Sequence, residues 1–454
     1  MNNINFQQAK ISNDYKYIID SDNNKVKLDD PRVVHIWPIA TGVPTTQLIK
    51  RAFEKRGWNF RFTTTEANSK GLQYAKKLCS GRECLSCISM AGETYRDIKE
   101  NRKEDEISLY YNFDIISSCQ SGAWPYVWDT FSERLNLKNA VFMGSTNLDN
   151  SYMGQGDAFA KDLLIAIVIG DILDEAEASL KCLAKDKETA MAIMESENEK
   201  VYKSHLKGFK DIDLALAEWA HNISKIPLKA TIEETPKVLI FGGMAVVFIH
   251  HQISEYFLNE GVIPKVEEIS LGLSFIQARY AVRYGIERGI IDPSEQLEIK
   301  NILFSMLNPK NNFQNAKKAL HARINMFGID YLIKRFRKIA AKSGLLFYTP
   351  IPLMKVAKHG NKIVSYSTDA ETPLIAGYYD TVSKSKTFDG LVNASYFTCL
   401  PSMNAQGIIR SLASSSDIPF AGIDCDGPNI SANHRRLLET VALRAKKMRK
   451  EKNK

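Results

Sequence analysis

A chain of 454 residues is too long for one ordinary hydrophobic core, and two or three domains are expected. Its 44% hydrophobic and 25% charged residues are the proportions of an ordinary globular protein. The formal charge is +8, but the last eleven residues, "RAKKMRKEKNK", carry seven cations against Glu451, so the body is close to neutral and nucleic acid is not an expected partner.

The first 30 residues are a polar leader without the basic-then-apolar order of a signal peptide. The longest apolar stretches, "LLIAIVIG" and "VLIFGGMAVVFI", are too short to span a bilayer, so no membrane is expected and the compartment is read as the cytoplasm. In that reducing compartment seven cysteines point away from a disulfide framework and toward metal binding, catalysis or core packing.

Residues 31–156 read as a first α/β lobe. "RVVHIWPIATG" is a strand running into a Gly loop, "PTTQLIKRAFEKRG" a helix and "WNFRFTT" a second strand, the order of a parallel layer. "CISMAGETYRDIKE" is helical, "FDIISSCQSG" reads as a strand ending in a loop with Cys119, "PYVWDTFSERL" as a helix and "NAVFMGST" as another strand. Three strand-to-loop crossings then aim at one edge of the sheet, where α/β folds place ligands.

Residues 157–232 are a helical segment that ends in the linker "IPLKATIEETP". The second lobe, 233–445, repeats the opening plan with the strand "PKVLIFGG", the helix "HHQISEYFLNEG" and the strand-like "VIPKVEEIS". It carries a helical insertion over about 275–343. It then returns to α/β through "TPLIAGYYDTV", "FDGLVNASYFTCLPS", the helix "NAQGIIRSLASSS", the strand "IPFAGIDCDG" and a closing helix. The basic tail, 446–454, reads as a helix end that frays. The fold expected is α/β, with two Rossmann-like lobes of parallel sheet and helical insertions.

Phosphate loops of the P-loop type, a GxGxxG after a strand and a GxSxG elbow are all absent, so nucleotide hydrolysis by this chain alone is not expected. His250 and His251 lie in an apolar stretch and read as structural.

The cysteines remain. "CSGRECLSC" places Cys79, Cys84 and Cys87 in nine positions. Cys84 and Cys87 form one CxxC, but zinc needs a second pair. Cys84 at a helix N-terminus would suit a redox dithiol. The spacing Cys79–x4–Cys84–x2–Cys87 with Cys119 matches the ligand run of plant-type ferredoxins. Cys182, in a regular helical pattern, reads as a buried structural thiol. Iron–sulfur clusters take thiolates from loops, and three protein ligands leave one iron open. Cys84 and Cys119 from the first lobe with Cys399 from the second would hold such a cluster in a cleft between lobes.

The segments "SGRECLSCISMAGE", "SSCQSGAWPYVWDTF", "MGQGDAFAKDLLIAIVIGDIL", "PKVLIFGGMAVVFIHHQISEYF" and "YFTCLPSMNAQGIIRSLASSSDIPFAGIDCDGPNIS" together resemble the 2-hydroxyacyl-CoA dehydratase superfamily, over about Arg32 to Ala445. The branch resembled is the one fused to, or encoded beside, acyl-CoA dehydratase activases. The resemblance implies one [4Fe-4S] cluster on Cys84, Cys119 and Cys399. It also implies a low-potential electron from a separate ATP-dependent activase, and transfer to a 2-hydroxyacyl-CoA whose ketyl radical expels hydroxide. Related benzoyl-CoA reductases and double-cubane reductases imply two alternatives: with Cys79, Cys87 and Cys425 added, six thiols could hold a double-cubane cluster, or the chain could be a non-catalytic electron carrier for the activase. The superfamily's catalytic members act as pairs of related subunits, so an oligomer, of itself or with a second subunit, is also implied.

Overall fold

The computed structural model of the chain describes residues 7–37, 42–63, 69–112, 119–144, 156–243, 246–287, 299–306, 313–366, 371–427 and 429–453. The chain divides into two compact units, Met1–Ile167 and Val168–Lys454.

The first unit opens with β1 (Lys10–Ile11), β2 (Tyr17–Ile19) and β3 (Lys25–Lys27), an antiparallel meander. There follow β4 (Val33–Trp37), α1 (Val43–Glu54), β5 (Asn59–Phe62), α2 (Ser69–Ala75), α3 (Leu85–Glu100) and β6 (Ile107–Asn112). A 3-10 turn (Gln120–Ala123), α4 (Trp124–Leu135) and β7 (Ala140–Gly144) complete the plan. The strands pair in parallel in the order β5-β4-β6-β7.

α5 (Gly156–Leu183) starts in the first unit and continues into the second. The second unit adds α6 (Lys187–Ser204), α7 (Phe209–Ile223), β8 (Lys237–Phe241), α8 (Val246–Asn259) and β9 (Ile263–Val266). A helical stretch follows, with α9 (Ile269–Glu287), α10 (Ile299–Met306), α11 (Phe313–Ala340), α12 (Leu353–Ile363) and α13 (Thr372–Ser383). β10 (Gly390–Tyr396), α14 (Leu400–Ala413), β11 (Phe420–Cys425) and α15 (Ala432–Lys452) close the chain. This sheet is also parallel, in the order β11-β10-β8-β9.

Counted within each sheet, both orders are second-first-third-fourth. The first and third strands are neighbours, and the chain leaves their carboxyl ends in opposite directions. That divergence is where α/β sheets hold ligands. Every residue of β6, β8 and β10 is buried, as expected of parallel strands covered on both faces. The helices fit this plan: α1 carries Pro44 in its first turn and buries Leu48, Ile49, Ala52 and Phe53 on one face.

Several segments differ from the sequence expectation. The polar leader, to which the sequence assigned no element, carries the meander, with Ile18 and Val26 buried. It is tied to β7 by a reciprocal pair in which Ser21 N–H donates to Asn139 Oδ1 (2.9 Å) and Asn139 N–H to Ser21 Oγ (2.8 Å). The strand before Cys119 is "ISLYYN", upstream of the expected "FDIISS", which lies outside the described residues with the loops 38–41 and 145–155. "TPLIAGYYDTV", to which the sequence assigned no element, is helix. α13 is buried on nearly all sides, which erases the helical period, and Pro373 in its first turn is the cue to its start. The tail does not fray: Arg449 and Lys452 of α15 bond the carboxylate of fully buried Asp389.

Candidate cysteine site

Cys84, Cys119 and Cys399 stand in one local role. Each is the residue immediately before a helix: Cys84 before α3, Cys119 before the 3-10 turn that leads into α4, and Cys399 before α14. All three have extended backbone (φ −62, −74 and −74°) and none makes a side-chain capping hydrogen bond. Helix starts ordinarily take Ser, Thr, Asp or Asn, whose oxygen satisfies a backbone N–H. A thiol does this poorly, so three such placements point to a role other than capping.

Cys119 and Cys399 are also topologically equivalent. Cys119 precedes the helix after β6, the third strand of its sheet, and Cys399 the helix after β10, the third strand of the other. Each therefore leaves the sheet beside its first strand, at the ligand-binding divergence.

In the first unit Cys84 is the best-defined thiol. Its N–H donates to Gln120 Oε1 (2.6 Å), which links the start of α3 to the turn behind Cys119. Burial raises the Cys84 thiol above its ordinary value, and the neighbouring Cys119 adds to this. The N–H groups of Ser86 and Cys87, at the open end of α3, oppose the rise. The Trp124 indole also opposes the rise, although its N–H is buried without a hydrogen-bond partner among the described residues. Burial outweighs these contributions, so the thiolate costs more here than in water.

Cys87 is almost fully buried, and burial, then Cys84, Cys79 and Glu83, push its thiol well up. Cys79 is pushed up to about 12 by burial and Glu83, with Arg134 opposing. The loop between Cys79 and Cys84 wraps its own carboxylate: Glu83 accepts N–H bonds from Ser80, Gly81 and Arg82 at 3.0–3.1 Å. Gly81 is left-handed (φ +81°), which lets the three N–H groups converge.

In the second unit Thr398, just before Cys399, has φ +75°. A β-branched residue there costs about 1–3 kcal/mol, and such strain gathers at functional sites. Cys399 Sγ donates to Ser402 Oγ (3.4 Å), and Ser402 Oγ to the carbonyl of Gly242 at the end of β8 (3.3 Å). The diglycine turn after β8 is already occupied, since the N–H groups of Gly242 and Gly243 both donate to Glu267 Oε2 at 2.9 Å. A Cβ on Gly242 would lie 1.9 Å from the Ala394 carbonyl oxygen, so only glycine lets β8 pass β10 there. Cys425 ends β11, in register with Tyr396, and its thiol is pushed up to about 12 by burial and then Asp426 and Asp424.

The structure thus brings Cys79, Cys84, Cys87 and Cys119 into one neighbourhood of the first unit. It sets Cys399 three residues beyond the end of β10 and Cys425 at the end of the adjacent β11 in the second, and leaves Cys182 in the last turn of α5, its thiol raised by burial. Among the described residues no three His, Cys, Asp or Glu side chains converge as a metal site. In chemistry the three thiols at helix starts, with backbone N–H groups acting on the Cys84 sulfur, are of the type that could ligate an iron–sulfur cluster. Sequence reasoning passes over Gln120, Trp124, Thr398 and Glu267. Gln120 and Trp124 had a signal, being the first and fifth residues after Cys119, whereas the strain at Thr398 leaves no mark in composition. A scan against protein-family models matches no family, and a search of the curated proteins finds no match.

Proposed function

We propose that this chain is the iron–sulfur component of a 2-hydroxyacyl-CoA dehydratase-like system. It holds a [4Fe-4S] cluster through Cys84, Cys119 and Cys399, receives a low-potential electron from a separate ATP-dependent activase and passes it to an acyl-CoA, in lyase- or reductase-type chemistry. The observation that carries this reading is the equivalence of Cys119 and Cys399, two thiols that start the helix after the third strand of two sheets with one topology. A cluster on three thiolates supplies a one-electron store with one iron open to an outside ligand.

The chain's own residues have separable tasks. The N–H groups of Cys87 and Ser86 lower the cost of the Cys84 thiolate. Gln120 fixes the start of α3 to the turn that carries Cys119. Glu267 fills the diglycine nest after β8, the place where a sheet of this kind would hold a phosphate, in keeping with ATP hydrolysis on a partner.

A second reading is favoured by a different observation. Cys119 lies near Cys84, and Cys87 near both Cys84 and Cys79, within a single unit; the four do not converge as they stand, but they are in number enough to ligate a cube fully, as in a non-catalytic electron carrier. A double-cubane cluster would draw on Cys79, Cys87 and Cys425 as well.

Anaerobic purification with iron and sulfide quantitation and EPR tests all three. On the first reading the protein carries about four irons. Cys84→Ala, Cys119→Ala and Cys399→Ala each lose them, Cys182→Ala keeps them, and acyl-CoA thioesters shift the EPR signal. Iron that survives Cys399→Ala but not Cys79→Ala establishes the carrier instead. About eight irons, sensitive to Cys425→Ala, would establish the double cubane. Near-zero iron in a folded protein ends the cluster proposal.

A further inference from the structure

The second unit contains a cavity of about 350 Å³ with no cysteine in its lining. One wall is a face of α11, where Asp330, Lys334, Arg337 and Lys338 recur at helical spacing. The extended segment 344–352 forms another, and the region around the start of α9 a third. The volume falls within the range of small-molecule sites, which are mostly apolar with a few convergent polar groups.

What distinguishes this cavity is how Arg337 is held. Glu175 of α5, 1% exposed at its side chain, accepts from Arg337 Nη2 (2.6 Å) and from the N–H groups of Phe347 (2.9 Å) and Tyr348 (3.0 Å). The guanidinium Cζ also lies 5.9 Å from the Tyr348 ring centroid, and Lys265 Nζ stands 5.6 Å from the same ring. Tyr348 is fixed in turn by its hydroxyl against that of Tyr378 (2.9 Å). The side chain is therefore oriented from behind by a buried carboxylate and an aromatic face, and a guanidinium so fixed loses little freedom on meeting a ligand. Yet Arg337 Nη1 is buried and has no hydrogen-bond partner among the described residues. A buried donor without a partner costs about 1–3 kcal/mol in desolvation.

The remaining charges decide the class of ligand. Glu268 is committed to Lys265 at 3.4 Å, and Asp330 offsets Lys334. That leaves Lys338 as the exposed donor, with the Arg337 guanidinium, its Nη1 closed off within the wall, as the positive charge behind it, so an anion is favoured over a cation. With those pairs spent, the remaining positive charge matches one negative charge and not a dianion such as a phosphate monoester. Leu271, Ile333, Phe347, Ile351 and Leu353 offer an apolar bed for the rest of the molecule.

We propose that this cavity binds a small organic monocarboxylate with an apolar body, its carboxylate on Lys338 with the Arg337 charge behind it and its body against Phe347, Ile351 and Leu353. The site is independent of the cysteine reading, and iron content has no part in its test.

The full-length protein is titrated calorimetrically with benzoate, cyclohexanecarboxylate and hexanoate, and with benzamide as the neutral counterpart of benzoate. At least one acid should bind saturably. Benzoate should bind about tenfold or more tightly than benzamide, the ratio that a charge-assisted hydrogen bond supplies. Bound acid should slow amide hydrogen exchange over residues 344–353. Arg337 substitutions would also strip Glu175 of its partner and could unfold the unit, so the exposed Lys338→Glu and the cavity-filling Ser274→Leu are the variants used, each with its thermal midpoint measured. Lys338→Glu should weaken the acids by about tenfold and leave benzamide alone, while Ser274→Leu should weaken both. Benzoate and benzamide binding alike, no acid binding below about 10 mM (the weak end of specific affinities), or wild-type affinity in a folded Lys338→Glu protein would each overturn the assignment.

Discussion

At the scale of single residues, a histidine invites a catalytic reading that its surroundings refuse. His35 on β4 is fully buried, its ring stacked 4.3 Å from that of Trp58. Nδ1 is 2.8 Å from the Tyr111 hydroxyl and Nε2 is 3.0 Å from the Leu28 carbonyl, so the neutral ring donates through Nε2 and accepts at Nδ1. Burial lowers its pKa from 6.5 to about 4, outweighing the opposing bond to Leu28. The sign follows directly. Below pH 6.5 the unfolded chain takes up a proton that the native protein refuses until about pH 4, so stability falls as pH falls through that window. Between pH 7 and pH 5 the loss from this group is about 2 kcal/mol. Urea unfolding of His35→Gln at the two pH values should show a correspondingly shallower fall than the parent, and an equal fall would remove His35 as the cause. The sequence marked Cys84, Cys119 and Cys399 because thiols are chemically conspicuous. His35 and Thr398 were not legible in that way, since the meaning of His35 lies in a hydroxyl and a carbonyl contributed by other residues and that of Thr398 in a backbone angle set by the fold.

Elements show the complementary pattern. Strands with flanking punctuation, such as "KVLIF" before the diglycine and "FAGIDC" before "DG", are legible because a short apolar run bounded by turn residues has few alternatives. α13 is not, because Pro373 through Tyr379 are all buried and no polar face discloses the period. Its packing against α12 explains why. Gly360 of α12 and Gly377 of α13 meet backbone to backbone. A Cβ on Gly377 would lie 2.4 Å from the Val356 carbonyl oxygen and 2.6 Å from Gly360 N. Neither neighbour is the end of a flexible side chain, so Gly377→Ala must push two helices apart, at about 1–3 kcal/mol or more. Gly407, on an exposed turn of α14, has nothing within 4 Å of its Cβ position. Gly407→Ala should therefore be neutral or stabilising by up to about 1 kcal/mol from helix propensity alone. Urea midpoints of the two variants should move in opposite directions or one not at all, and comparable losses in both would show that the close approach of α12 and α13 is not what glycine serves.

For the whole molecule, the repeated α/β plan was readable because each lobe writes it locally, strand by helix by strand, whereas pairing order depends on contacts distant in sequence and emerges only with the fold. The charge distribution shows the same division. A tail with seven cations in eleven residues resembles a surface for polyanions, yet much of that charge is spent inside the second unit. Lys446 pairs with Glu260 at 2.8 Å, and Arg449 and Lys452 each reach Asp389 at 2.8–2.9 Å. Asp389, fully buried at the entrance to β10, also accepts the N–H of Lys237 at the start of β8 (2.9 Å). The end of the chain thus neutralises a carboxylate that ties two central strands together. Truncation after Ala445 would leave that carboxylate buried with a single N–H donor, and breaking a buried pair from one side costs about 3–5 kcal/mol. The truncated protein should unfold at a lower urea concentration, with faster hydrogen exchange in β8 and β10 and unchanged exchange in β4 and β6. Adding Asp389→Asn to the truncation should recover part of the loss, because the orphaned charge goes with it, whereas in the full-length chain the same substitution should destabilise. A truncation that leaves β10 exchange untouched would show instead that α15 is held by its apolar face, through Leu438, Val441, Ala442 and Ala445, and that its cations are only surface charge.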